Sequence, residues 1–424
     1  DRDGLVHMAP PAIEFWRHPE AARHRAIYSL DASADGSVWF SIEHTGRWAA
    51  LHWKDGKYIG KQELADSGSI LALPDGSAAV VRDLYLPEKA ICLMNDLSME
   101  TRPLPAIAGR AYLSKGHSGR FWIGSATNVL ESADLKNWKP LELPRLPSIH
   151  RATWLSVLEL TNRNLWIGSI GYGALQISNG IPFLHNTSNG APSNILNPSL
   201  EDPDGTLWFG STAGLVRYRR GQWFRFGPEH GLAESLTIGV VDDLHGRLWI
   251  HGHQGIAGIH RSELEAVADG RAAQFRLFRP RNGAAWVTEC NAGPPSAARD
   301  SHGNLWFATV AGAMRVPREQ LVATPKPAPS ITSAAAASGT FWRGILKGSV
   351  RQLDCPPDAD QVLDFTLANP GRAEAEIAPI QYRLEGIDSS WRTAPTDGYI
   401  RYHQLPPGRL TLRIRSAEGG EDIE

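Results

Sequence analysis

The sequence predicts an all-β protein, a seven-bladed β-propeller followed by a small immunoglobulin- or fibronectin-like β-sandwich. Three observations carry that expectation. A turn leading into an aromatic strand, as in "DGTLWFGS" at residues 204–211, returns seven times at intervals near forty residues. The composition joins 15 Trp to 41 Gly and 29 Pro, which favours many short strands between turns over helices. After residue 322 the repeat stops, and alternation of apolar and polar residues between turn signals takes its place.

Aligned on the turn glycine, the copies read "ADGSVWFSI" at Gly36, "PDGSAAVVR" at Gly76 and "HSGRFWIGS" at Gly119. They continue with "TNRNLWIGS" (Arg163 in the glycine's place), "PDGTLWFGS" at Gly205, "LHGRLWIHG" at Gly246 and "SHGNLWFAT" at Gly303. The intervals are 40, 43, 44, 42, 41 and 57 residues. In each copy the glycine supplies a tight turn at positive φ. A buried strand such as "LWFGS" follows the turn and another precedes it, as at 195–200 and 238–241. A small-residue bend then opens a third strand, "GALQIS", "GLVRYR", "GIAGIH" or "GAMRVP", and a more polar fourth follows in several copies, as in "QWFRFG". Four antiparallel strands per copy make a propeller blade, and such a sheet covers both faces only by stacking radially on its neighbours. The second copy has Ala79 where the others have Trp. The long last interval holds "RSELEAVADGRAA", which reads as a short helix inserted before the final blade.

Closing the ring requires a strand from one end of the chain to complete a blade begun at the other. Phe15 and Trp16 are expected to pair with the last blade near Arg315, and residues 1–10 read as the remnant of an upstream blade. The first domain is therefore placed at 1–322. Residues 323–424 form the second, opening on "ATPKPAPSITSAAAASG", read as a linker and an extended strand edge rather than a helix. Alternation at Tyr382/Leu384, Tyr399/Tyr402 and Leu410/Leu412/Ile414 supplies the sandwich strands, and the chain stops at "EGGEDIE", where a final strand would be expected.

These residues carry a resemblance. The "DGxLWxGS…GLxRY" copies resemble the two-component regulator propeller repeats, and "YRLEGIDSSW…Y…LPPGRLTLRIRS" is similar to the triple-tyrosine (Y_Y_Y) domain that follows them. "CNAGPPSAARDSHGNLWFATVAGAMRVPREQL" is similar to the way that family's last blade runs into that domain. The resemblance implies a periplasmic ligand-sensing region, then a membrane helix and a kinase or regulatory output. It implies a homodimer paired through the sandwich. This chain has no kinase motif and no run of 18 apolar residues, and is read as the sensor portion of a longer protein. Streptogramin lyases, propeller enzymes that use a histidine with magnesium, are similar in blade count and in "GSVWFSI"-type strands. They are the enzymatic alternative, and a protein-interaction scaffold is a third.

A net charge of -2 gives no reason to expect nucleic acid as a partner. Three widely spaced cysteines, Cys92, Cys290 and Cys355, match no metal spacing and read as small buried residues. No G-x-S-x-G elbow or phosphate loop occurs, so the chain is expected to be non-enzymatic and to need no cofactor. "HGHQG" places His251 and His253 two residues apart. A metal would need His245 or His260 as well, and the bland reading is a polar bend. The acid pairs Asp242–Asp243 and Glu201–Asp202 are read as solvated or as turn caps. The repeated Trp residues are read as packing between blades.

A small-molecule or carbohydrate ligand is expected at the propeller mouth, where entry loops and second-to-third strand bends gather. Entry loops offer His150, Arg151, Trp154, Glu289 and Asn291, and the bends offer Glu43, His44, Tyr172, His251, His253 and Gln254. Trp154 and Tyr172 would stack on a sugar or aromatic ring while Arg151 and Glu289 supply directional hydrogen bonds.

Overall fold

The computed structural model describes residues 14–16, 27–44, 47–66, 68–82, 89–126, 128–143, 153–232, 235–253, 255–275, 277, 294–309, 312–321, 330–346, 354, 362–368, 380–395 and 398–416. The chain divides into two compact units, one spanning Pro11–Val322 and the other containing Ala323–Glu424. Among the described residues, no helix is long and apolar enough to cross a membrane.

In the first unit each copy of the repeat builds one antiparallel sheet. The first sheet runs Ile27–Ala32, Ser37–His44, Arg47–Lys54 and Lys57–Leu64. The second and third begin at Ile70–Ala72 and Tyr112–Lys115. The fourth begins at Thr153–Glu159 and the fifth at Ile195–Glu201, and these two join through Ser169↔Leu196 and Ile170↔Ile195 into one eight-stranded sheet. The sixth, Gly239–Asp242, Arg247–Gly252 and Gly255–His260, has three described strands and is followed directly by the helix Arg261–Ala268, where the sequence predicts one. The seventh begins at Ala297–Arg299.

First strands of successive sheets touch in chain order, and that of the last touches that of the first. The ring is closed by Glu14–Trp16, which pairs antiparallel with Gly312–Val316 in the register Glu14↔Arg315, Phe15↔Met314, Trp16↔Ala313. That is the pairing the sequence suggests.

The turn glycines adopt the positive φ expected of them, 90° at Gly36 and 80° at Gly205. Arg163, in the fourth copy, takes the same turn at φ 70°. An L side chain there sets Cβ against the following carbonyl. Arg163→Gly is therefore expected to stabilise the protein by about 0.5–1 kcal/mol. It would be read as a higher urea midpoint at unchanged slope. A lower midpoint would show that the Arg163–Glu159 ion pair at 3.4 Å outweighs the strain.

The repeated Trp rings fill the seams between sheets. Trp39, Trp166, Trp208, Trp249 and Trp306 are at most 1% exposed. Trp39 packs with Ile70, Ala78 and Val80 of the next sheet, and Trp306 with Ile27, Leu30 and Phe40 of the first. In the last three copies an aspartate three residues before the turn glycine accepts the indole N–H. The pairs are Trp208 to Asp202 (2.7 Å), Trp249 to Asp243 (3.0 Å) and Trp306 to Asp300 (2.8 Å). Asp243 also accepts the backbone N–H groups of His245 and Arg247. Of the two readings of the acid pairs, capping holds for Asp243, which is buried in the seam, while Glu201, Asp202 and Asp242 are half-buried. Cys92 is buried as expected, and Cys290 and Cys355 lie outside the described residues.

The second unit is a two-sheet sandwich. One sheet orders Gly339–Leu346, Ser330–Ala336, Val362–Ala368 and Tyr399–His403, and the other Arg392–Thr393, Ile380–Leu384 and Leu412–Ser416. Ser330–Ala336 is extended, but it is not an edge, since it pairs on both sides. Its small side chains explain this, with Ala334 and Ala336 facing a core that also holds Phe365, Tyr382, Tyr402 and Ile414. Tyr382 and Tyr402 meet edge to face at 6.2 Å, whereas Tyr399 faces outward and bonds Asp364.

Candidate functional site

The residues named from sequence are placed as follows. Trp154 is not on an entry loop. It lies in Thr153–Glu159, 4% exposed, inside a cluster with Trp122, Val129 and Leu175. Tyr172 is half-buried in the next bend and packs against that same cluster. The two aromatics do come together, but as seam packing, because a Trp at the start of a first strand is turned into the space between sheets.

His251 sits in Arg247–Gly252, 1% exposed, with Nε2 2.9 Å from Ser296 Oγ and its ring edge-on to Phe307. Burial pushes its pKa down to about 4, so it is neutral at physiological pH. Room for this ring comes from Gly239, where a Cβ would stand 2.6 Å from Nε2. His253 is exposed, and His260 caps the helix through Ser262 instead of turning toward His251. Among the described residues no three His, Cys, Asp or Glu gather as a metal would need. Glu43 and His44 end the strand Ser37–His44, but their side chains are outside what is described. Arg151, His150, Glu289, Asn291 and Gln254 also lie outside the described residues.

What the ring does enclose is a channel of about 380 Å³ whose wall takes residues from the first strand of every sheet. Pro294 and Pro295 line it as well. Ser69 Oγ donates to the Pro294 carbonyl at 2.8 Å, while Ser29 Oγ and the Leu30 N–H donate to that of Pro295. The entry to the seventh sheet is thereby held against the first and second.

Most polar groups of the wall are satisfied by the wall itself. Ser156 Oγ donates to Asn197 Oδ1 and to the Pro198 carbonyl, and Asn197 Nδ2 donates to the Ile238 carbonyl at 2.9 Å. Ser33 Oγ donates to the Leu73 carbonyl at 2.6 Å. Ser114 Oγ, on the channel wall, is buried without a hydrogen-bond partner. Among the described residues two charged ones line the channel, Asp31 and Lys115. The Asp31 carboxylate accepts the Ala72 N–H at 3.0 Å across the seam between the first and second sheets. Burial pushes its pKa up to about 7, against the opposing pull of the Ala72 and Ala32 amides and of Lys115. A carboxyl group that changes charge near neutrality, in a concave pocket with an ammonium group on the same wall, has the electrostatics of a binding site.

Asp31 was missed among the sequence candidates, yet a signal existed. It stands opposite Trp39 in the first sheet. The residues opposite the equivalent position are Leu71, Ser114, Leu158, Leu200, Val241 and Ala298. One charge in a column of uncharged residues marks a departure from what packing asks of that position.

No family model and no curated protein matches the chain. The solved structures share its fold. The extracellular domain of a proposed hybrid two-component system from B. thetaiotaomicron aligns at 16% identity with a TM-score of 0.61, covering 98% of this chain. The two share a fold. The chain spans 57% of that structure's length. A catalytically inactive virginiamycin B lyase from Staphylococcus aureus, solved with quinupristin, aligns at 14% identity and a TM-score of 0.52, over 72% of this chain and 98% of that one. The WD40 propeller domain of Doa1 gives 12% identity and 0.51, over 71% and 93%. The sensor region covers nearly all of this chain, whereas the lyase and the Doa1 domain cover about as much of it as the propeller unit occupies.

Proposed function

We propose that the chain is the extracytoplasmic ligand-sensing part of a two-component signalling protein, with its small-molecule site in the central channel. The propeller holds the ligand, and the sandwich passes the bound state, through a homodimer, to an output domain beyond this chain. The observation that carries the reading is the channel wall, where a half-buried carboxylate and an ammonium group line one cavity. Binding at such a site shifts the population between two arrangements only by its differential affinity for them.

The fold shared with virginiamycin B lyase favours a second reading, a propeller lyase. No described cluster fits the magnesium such an enzyme would bring, so no step is routed through one. One experiment separates the readings, a thermal-shift screen against metabolites and oligosaccharides with and without magnesium. Ligand at 100-fold excess over its dissociation constant contributes about 2.7 kcal/mol to stability. A shift with the compound recovered intact is expected. A cyclic ester recovered opened, with loss of turnover on magnesium chelation, would replace the sensor reading with the lyase.

A further inference from the structure

We infer that the channel ligand is a small zwitterion, its ammonium group held by Asp31 and its acidic group by Lys115. The inference rests on the channel being the ligand site. Its starting point is that Asp31 carries a charge no structural duty requires. The link it makes, accepting a first-strand N–H of the next sheet, is made elsewhere by hydroxyls. Ser29 Oγ accepts the Ile70 N–H at 3.2 Å, and Ser69 Oγ the Leu113 N–H at 2.9 Å. A serine does this at far smaller desolvation cost than an enclosed carboxylate. The carboxylate is therefore left to be explained by what enters the channel.

Lys115 stands on the third sheet's first strand, and the strand Ile70–Ala72 of the second sheet lies between it and Asp31. Their charges interact, but no ion pair joins them. A simple anion placed between them would meet the Asp31 carboxylate, and a simple cation would meet the Lys115 ammonium. A neutral ligand would enclose Asp31 further without pairing it, which is unfavourable for a buried charge. A molecule bearing both charges satisfies both ends.

Proton exchange accompanies such binding. Asp31 is close to half-protonated near neutral pH, and an ammonium group selects its carboxylate form. Of the elements packed against it, Ile70–Ala72 and Leu305–Thr309 bring no titratable group, and Arg299 of Ala297–Arg299 is turned to the Asp242 carbonyl. Glu43 and His44 are at the far end of the partner strand Ser37–His44, and His251 lies neutral behind Ser296. Among the described residues Lys115 is the charge that acts on it.

The test uses the whole chain and a ladder of ω-amino acids, glycine, β-alanine, γ-aminobutyrate and 6-aminohexanoate, each with its N-acetyl and methyl ester forms, titrated calorimetrically. The ladder spans a range of separations between the two charges. One member is expected to bind, with both masked forms at least tenfold weaker. Its affinity should rise about tenfold from pH 6 to pH 8, following the fraction of Asp31 ionised. Asp31→Asn, which keeps an acceptor for the Ala72 N–H, should abolish that pH dependence and weaken binding at least tenfold. Lys115→Ala, at an exposed side chain, should weaken the parent compound but not its ester. Equal binding of parent and masked forms, no binding along the ladder, or unchanged affinity in both variants overturns the inference. A neutral oligosaccharide that binds both variants like the parent protein also overturns it, yet leaves a sensing propeller in place. Silence from this ladder and from the metabolite screen together removes both.

Discussion

Replacing Trp306 by alanine is expected to lower the unfolding free energy by about 3–5 kcal/mol. The ring is 1% exposed and lies where the last sheet meets the first. It packs edge-on to Phe40 at 5.6 Å and Trp53 at 6.2 Å, and Arg315 sits over its face at 5.8 Å. Truncation also leaves Asp300 Oδ2 without its indole donor. A buried acceptor that loses a partner adds about 1–3 kcal/mol, though Asn304 Nδ2 still donates to the same oxygen and holds the loss to the lower end. Equilibrium urea unfolding measures the effect. A loss below about 1 kcal/mol would mean that the closing seam is not packed as described.

The Asp31→Asn protein is expected to be more stable than the parent at pH 8, and the sign follows from linkage. Asp31 titrates at about 7 in the folded chain against an ordinary 3.8, so the folded state binds more protons than the unfolded state between those values. Parent stability contributed by this group is fully present below pH 4, falls as pH rises towards 7 and is flat above it. Asparagine has no such window. The gap between the two proteins should widen by up to about 1.4 kcal/mol per pH unit within it, and reach about 2–4 kcal/mol at pH 8. Unfolding curves from pH 4 to pH 8 decide the matter, and a gap constant across that range would show that the Asp31 carboxyl is solvated. A substitution that strengthens the fold while weakening binding is the pattern expected of a group kept for function.

The repeat was legible because its chemistry is local. Glycine at a positive-φ turn and Trp in the strand after it recur at a fixed spacing, and even Arg163 in the glycine's place keeps the turn. Closure by Phe15 and Trp16 was legible because a closed ring requires a strand from one end of the chain to complete a blade begun at the other. The site was legible only in outline. Trp154 reads as a loop aromatic when its neighbours are polar, and only the packing between sheets reveals that its ring is enclosed. His251 looked like a bend residue because the strand end and the bend share the same few residues. Asp31 was hidden differently, inside an ordinary strand with no motif around it, and its importance depends on seven strands from distant parts of the sequence facing one axis.

The pairing of Glu14–Trp16 with Gly312–Val316 also has a meaning for how the protein is made. The segment that completes the last sheet is synthesised before any of the seven sheets, and its partner emerges only after all the sheets between them. Until then the first sheet lacks the neighbour that covers Phe40, and the growing array has two open faces. Each intermediate length of chain is a partial arc with apolar ends, exposed to association with other arcs. Joining the ends across so long a stretch is slow to nucleate, but adds little entropy cost for each further sheet. The fold thus carries an order of assembly in which the two end sheets are not shielded until the last one docks, and the cell must keep the nascent arc apart from its siblings until that moment.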